Sequence, residues 1–115
     1  MKLLCLNYLG LGQPEAVQEL CSLCELHRPW VVFLLETCYF NDRVDGLVRT
    51  LGMEGGFSVG YLGRGGWLAL LWSWEVGVKL ESYDKLHIDV TVQLTTTTPM
   101  PWRFTGFYGE SRQEL

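Results

Sequence analysis

VVFLLET, at residues 31–37, is the stretch that decides the fold. Its five successive apolar residues indicate a strand covered on both faces, and Glu36 is the first charged residue after them. A second stretch, KLLCLN at residues 2–7, ends in the polar Asn7. If a helix connects the two strands, they form a β-α-β unit and run parallel. Asn7 and Glu36 then lie at the same edge of one sheet.

The residues between the two strands predict that helix. Pro14 and Glu15 suit a first helical turn, because proline loses no needed donor there and an acid complements the helix dipole. Pro29 ends the helix. One apolar face follows from helical spacing at residues 17, 20, 21 and 24.

The rest of the chain predicts one short helix and then strands only. Asn41 or Asp42 caps a helix that Gly52 closes. Strands are expected at residues 57–62, 67–74, 76–83, 87–94 and 102–108. A β-α-β-α start followed by an antiparallel meander indicates an α/β fold with α+β character, in which two N-terminal helices pack on one mixed β-sheet.

Composition sets limits on function. The chain has 115 residues, a net charge of −4 and no basic run, which disfavours an independent nucleic-acid-binding module. No apolar stretch is long enough to span a membrane. Asn7 interrupts the apolar start early, so we expect a buried first strand rather than a signal peptide. The cysteines show no disulfide framework, which indicates a reducing, intracellular setting.

Three polar residues at strand ends are candidates for chemistry. Glu36 follows a buried strand, where an unpaired charge is costly, so a bound metal ion is one explanation and simple access to solvent is the other. Asn7 can orient a carboxylate or donate to a phosphate, or it is an ordinary turn residue. Tyr108 ends the last expected strand and can contact a phosphate oxygen, or it is a rim residue.

Two further groups favour structural interpretations. Cys21 and Cys24, with His27, suggest zinc or redox chemistry, but zinc usually has four ligands and no second cluster is present. Small apolar side chains on a core face are the preferred interpretation. His87 and Asp89 alternate along a strand and point to one face, which predicts a hydrogen-bonded pair.

Five segments in order resemble a known family. Residues 2–12 are similar to the opening K-hydrophobic-x-x-W-N-x-R-G-L-G of plant LINE-type retrotransposon endonuclease domains. Residues 33–37 resemble the family's F-L-x-E-T, and residues 66–72 its G-G-L-A-L-L-W. Residues 87–89 and 102–109 match further blocks. The resemblance covers nearly the whole chain, and five blocks in register make it specific.

The wider group is the endonuclease/exonuclease/phosphatase superfamily. The resemblance implies a DNase I-like four-layer α/β sandwich and Mg²⁺-dependent hydrolysis of DNA phosphodiesters. It implies that Glu36 binds the metal together with Asn7, and that Tyr108 contacts the scissile phosphate. It also implies a nuclear location within the cell.

The chain departs from the family pattern at Leu6, at Tyr8-Leu9 and at Gly65-Gly66-Trp67, and the largest departure comes after Tyr108. The family's later blocks carry an Asp/Asn pair and a closing Ser-Asp-His, and residues 1–115 contain no Ser-Asp-His. We therefore expect residues 1–115 to be the N-terminal half of the domain, inactive or very weak, with an apolar sheet face left open. The alternatives are half of an enzyme completed by a second chain, or a non-catalytic protein-interaction module.

Overall fold

The structure, a computed structural model, describes residues 3–7, 14–39, 44–60, 66–95 and 100–107. For Asn7 and Glu36 the structure describes the backbone, that is, their places in the strands. In chain order the elements are β1 (Leu3–Asn7), α1 (Pro14–His27), β2 (Val31–Tyr39), α2 (Val44–Leu51), β3 (Gly55–Gly60), β4 (Gly66–Trp72), β5 (Val76–Asp84), β6 (His87–Leu94) and β7 (Trp102–Phe107).

Both helices end where the sequence predicts. After α1, Arg28 adopts a positive φ of 49°, and its N–H donates to the Cys24 carbonyl at 2.8 Å. Pro29 then prevents continuation. After α2, Gly52 has a φ of 70°, and the N–H of Met53 reaches back to the Val48 carbonyl at 2.9 Å. This is a Schellman-type end, which favours glycine at that position. The expected caps, Asn41 and Asp42, lie outside the described residues.

The first sheet, which we call the mixed sheet, has the strand order β1-β2-β4-β3. β1 and β2 are parallel, as expected for strands connected by α1. β4 lies between β2 and β3 and is antiparallel to both. Both edges of β4 are therefore occupied, and no further strand can pair with it.

The second sheet, which we call the antiparallel sheet, has the order β5-β6-β7. The expectation of one mixed sheet is therefore wrong, because the described strands form two sheets. The turn at residues 73–75 does not close a hairpin between β4 and β5. The Ser73 N–H donates to the Trp30 carbonyl at 2.9 Å, and the chain then continues into β5 of the antiparallel sheet.

Two apolar clusters hold three layers together. Leu20 and Val48 are among the helix residues that pack against Val32 and Leu34 on one face of the mixed sheet. The opposite face packs against the antiparallel sheet. That cluster contains Val31, Phe33, Leu68, Leu70, Ile88, Val90 and Val92. The order of layers is helices, mixed sheet, antiparallel sheet.

The open apolar sheet face expected from the sequence is not found in the described part of the chain. Val31 to Leu34 of the central strand β2 are all buried, so both faces of that strand are covered. The uncovered face of the antiparallel sheet carries mainly polar side chains, including Asp89, Thr91 and Arg103. The alternation of buried and exposed residues along β6 produces this division.

Candidate functional site

The parallel pairing of β1 with β2 brings Asn7 and Glu36 to the same edge of the mixed sheet. The register runs from Leu3 opposite Val31 to Asn7 opposite Leu35, the residue before Glu36. With a strand spacing of about 4.8 Å and a rise of about 3.3 Å per residue, the Cα atoms of Asn7 and Glu36 are about 6 Å apart. The register therefore places both residues near the same end of the β1–β2 pair, with Glu36 one residue out of register with Asn7. Successive residues of a regular strand face opposite sides of a sheet, so a common face for the two depends on the irregularity that follows Leu35.

β2 does not end at Glu36, as the sequence suggested, but continues to Tyr39. Leu35 is opposite Leu68 and Tyr39 is opposite Gly66, so residues 36–38 of β2 stand opposite residue 67 alone. Glu36 thus begins an irregular, bulged segment rather than closing the strand. Bulges break the regular ladder and often occur beside functional sites. Nothing in the apolar pattern of VVFLLET indicates this bulge.

Tyr108 lies outside the described residues, one position beyond the end of β7. The strand that leads to it passes over β2. Gly106 of β7 lies against the ring of Phe33, and the Phe33 and Phe104 rings meet edge to face at 5.6 Å between centroids. β7 therefore crosses β2 three residues before Glu36.

The expected hydrogen bond between His87 and Asp89 is not formed, and each side chain has other partners. Arg103 donates twice to the Asp89 carboxylate, at 2.9 and 2.8 Å, and Thr105 donates at 3.0 Å. These groups, with Arg103 first, hold the pKa of Asp89 below its usual range. Strand β7 supplies both donors, so only knowledge of the β6–β7 register could have identified them.

His87 instead bonds to two residues of β5. Its Nδ1 lies 2.8 Å from Asp84 Oδ1, and its Nε2 lies 3.0 Å from Ser82 Oγ. The Leu86 N–H also donates to Asp84 Oδ1, at 2.8 Å. That backbone donor and then the imidazole lower the pKa of Asp84. The spacing of these residues in the sequence did not indicate the group of three.

Cys21 and Cys24 both lie on α1, and the core interpretation is confirmed for Cys24, while Cys21 is half-buried. Cys24 is buried in the helix-facing cluster, and burial, followed by the proximity of Cys21, raises the pKa of its thiol to about 11. A cleft of about 360 Å³ lies beside them, between the ends of the two helices and the turn at residues 73–75. Within the described ranges no three His, Cys, Asp or Glu side chains converge to hold a metal ion.

That cleft is at the opposite end of the mixed sheet from Asn7 and Glu36. Val31, the first residue of β2, pairs with Trp72 just before the turn that lines the cleft. Asn7 pairs at the other end of the strand. The edge that carries the candidate metal ligands and the cleft are therefore separate features.

Comparison with known proteins leaves the family open: no protein-family model matches the chain, and neither does any curated protein. Among the described residues, no helix is both long and apolar enough to cross a membrane.

Proposed function

We propose that residues 1–115 contribute one side of a Mg²⁺-dependent phosphodiesterase site of the endonuclease/exonuclease/phosphatase type, acting on DNA. The observation that carries the proposal is the parallel register that pairs Asn7 with Leu35 and so brings Asn7 beside Glu36. The five sequence blocks in register support the same family. The finer architecture, a DNase I-like four-layer sandwich, is part of this proposal.

The donor set fits a hard divalent cation. Glu36 offers a carboxylate and Asn7 an amide oxygen, and Mg²⁺ prefers oxygen ligands of this kind. Two protein ligands alone bind Mg²⁺ weakly, with water or phosphate oxygens completing the shell. Bound there by Glu36 and Asn7, the ion would supply charge stabilisation to a phosphoryl oxygen.

Three of the chain's own residues share two roles in this proposal. The Glu36 carboxylate and the Asn7 amide oxygen would hold the ion. The amide N–H₂ of Asn7 and the hydroxyl of Tyr108 would donate to phosphate oxygens and orient the phosphodiester. No residue at this edge is assigned as the general base, which comes from an Asp–His pair in the family that the sequence resembles. We therefore expect residues 1–115 by themselves to cleave DNA very slowly or not at all.

One alternative is less well supported and stays a prediction. The interaction-module hypothesis relied on an open apolar sheet face, and the antiparallel sheet instead presents mainly polar side chains on its uncovered side within the described residues. Completion by a second chain remains a prediction. Size-exclusion chromatography that shows only monomer, with no nicking when candidate halves are mixed, would count against it.

Metal binding tests the proposal. Saturation by Mg²⁺ at ten times its dissociation constant should stabilise the folded chain by about 1.4 kcal/mol, measured as a rise in melting temperature. Glu36→Gln should abolish that rise. Glu25→Gln removes the same charge from an exposed site at the far end of α1 and should preserve it. An equal rise in all three proteins would refute the assignment of Glu36.

Nicking of supercoiled or abasic-site DNA in Mg²⁺ tests the activity separately. We expect little or no nicking. Rapid nicking that Glu36→Gln abolishes would support the site and overturn the expected inactivity. Nicking that survives both Glu36→Gln and Asn7→Ala would contradict the site itself.

A further inference from the structure

The hairpin between β5 and β6 carries a chain of hydrogen bonds that the proposed nuclease function does not use. Ser82 Oγ lies 3.0 Å from His87 Nε2, and His87 Nδ1 lies 2.8 Å from Asp84 Oδ1. A hydroxyl next to an imidazole whose other nitrogen faces a carboxylate is the arrangement that activates a serine nucleophile. It lies on the antiparallel sheet, and Asn7 and Glu36 lie on the mixed sheet.

A bulge places Ser82 on the same face as His87. Leu80 is opposite Val90 and Ser82 is opposite Asp89, so Glu81 is an extra residue in β5. Regular alternation from Leu80 would turn Ser82 toward the core, because residues two apart share a face. The extra residue turns Ser82 outward and turns Tyr83 inward, where its ring meets Phe57 at 5.0 Å.

The hydrogen-bond partners fix the direction of each bond. Asp84 also accepts the Leu86 N–H at 2.8 Å, which anchors the carboxylate across the two-residue turn. An ionised carboxylate only accepts, so Nδ1 of His87 is the donor to it. In the neutral imidazole Nε2 is then an acceptor, and the Ser82 O–H donates to it. The low pKa of Asp84 keeps that carboxylate ionised at neutral pH.

Access and a contact surface for an aryl group are also present. The His87 side chain is 22% exposed and that of Asp84 is 62% exposed, so a small molecule can reach the group. Phe107 is opposite His87 in the register, with its ring centroid 5.9 Å from the imidazole. Phe107 is 67% exposed and offers an apolar surface beside the nucleophile.

We infer that Ser82 is an acylatable nucleophile, with His87 as its general base and Asp84 as a positioning residue, and that it reacts with small activated aryl esters. Ser82 Oγ attacks the ester carbonyl carbon while its proton passes to His87 Nε2. The bond from that carbon to the aryl oxygen breaks, and the aryloxide leaves with the proton from the imidazolium. Water then attacks the acyl carbon while His87 takes a proton from the water. The bond from that carbon to Ser82 Oγ breaks and His87 returns the proton to Oγ, which releases the carboxylic acid and restores free Ser82.

The test is acylation of the purified full chain by p-nitrophenyl acetate. In samples quenched with acid before the acyl-serine hydrolyses, we expect up to one acetyl group per chain, located on Ser82 by peptide mass spectrometry. Ser82→Ala should remove the adduct, and His87→Gln should slow its formation about 100-fold or more. Ser73→Ala is the matched control, because the Ser73 hydroxyl donates to the Glu75 carboxylate at 2.7 Å rather than to an imidazole. It should react like the parent chain.

Asp84→Asn separates positioning from folding. Asparagine can still accept the Leu86 N–H and keep the turn, but it no longer holds the imidazole tautomer, so acylation should slow while the melting temperature changes little. Asp84→Glu, which restores a carboxylate, should recover part of the rate. Equal rates in the parent, Asp84→Asn and Asp84→Glu chains would overturn the role of Asp84.

Three results would overturn the assignment of Ser82. The first is an acetyl group located on lysine, cysteine or the N-terminus and not on Ser82. The second is a rate that is unchanged in Ser82→Ala but lost in His87→Gln, which would identify the imidazole as the nucleophile. The third is a fluorophosphonate probe, selective for activated serines, that labels the parent chain no more than it labels Ser82→Ala.

Discussion

Replacing Gly106 with alanine should disrupt the contact between the two sheets. A Cβ at this position would lie 2.4 Å from Phe33 Cζ and 2.6 Å from both Cε atoms, against an ordinary contact distance of 3.4–4 Å. The ring would have to move by about 1 Å to restore normal contact distances. Phe33 is only 3% exposed and meets Phe104 edge to face, so the surrounding core opposes that movement.

Overpacking of this kind costs about 1–3 kcal/mol. For a chain of this size, that cost should lower the melting temperature by about 4–15 °C. Thermal unfolding followed by circular dichroism measures the change. Gly77→Ala is the matched control, because its added Cβ would find nothing nearer than 3.9 Å. We expect that control to be neutral or slightly stabilising.

The double variant Gly106→Ala with Phe33→Leu identifies the cause. Leucine lacks the ring atoms that the new methyl group would meet, so the two changes should be less destabilising together than the sum of the single effects, by about 0.5–3 kcal/mol. If Gly106→Ala melts like the parent chain, or if the two effects simply add, then β7 does not lie on Phe33 and the described packing of the sheets is wrong.

Three other side chains give predictions of their own. Asp89→Asn should lower the melting temperature at neutral pH, because the ion pair with Arg103 lowers the pKa of Asp89 in the folded chain. The stabilisation from this ionised carboxylate is fully present above the ordinary aspartate pKa of about 3.9. It is lost as the pH falls through the lower pKa of Asp89 in the folded chain. The deficit should therefore disappear in acid; a deficit that persists there would refute this explanation. Cys24 should resist iodoacetamide at neutral pH until the chain unfolds, because its thiol is buried with a pKa of about 11; mass spectrometry of native and unfolded samples measures this, and rapid native labelling would contradict it. Leu34→Ala should cost about 2–5 kcal/mol in denaturant unfolding, because that side chain is fully buried, while Leu26→Ala, at a position 72% exposed, should cost far less; similar costs at both positions would refute the burial assigned to β2.

Local patterns predicted the part of the fold that depends on neighbours in sequence. The apolar run of VVFLLET marked a central strand, and the residues from Pro14 to Pro29 marked a helix; together they required β1 and β2 to be parallel. The shared edge of Asn7 and Glu36 follows from that unit alone. It could be predicted because a crossover connection fixes strand direction.

Long-range pairing could not be predicted in the same way. β4 inserts between β2 and β3, so β5 cannot pair with β4, the strand that precedes it in the sequence. The turn at residues 73–75 has the composition of an ordinary hairpin turn. Nothing in its sequence indicates that it connects strands of two different sheets. The sequence also gives no sign that Glu81 is an extra residue in β5. This extra residue determines the sheet face on which Ser82 lies.

A titration of the chain with Mn²⁺, a paramagnetic substitute for Mg²⁺, tests the central claim most directly. Backbone amide signals close to the bound ion broaden first in an NMR spectrum. We predict that the signals of Asn7 and Glu36 broaden before that of Glu25, and that Glu36→Gln abolishes the selective broadening. Broadening centred at the far end of the sheet, or unchanged in Glu36→Gln, would contradict a metal site at the edge that β1 and β2 share.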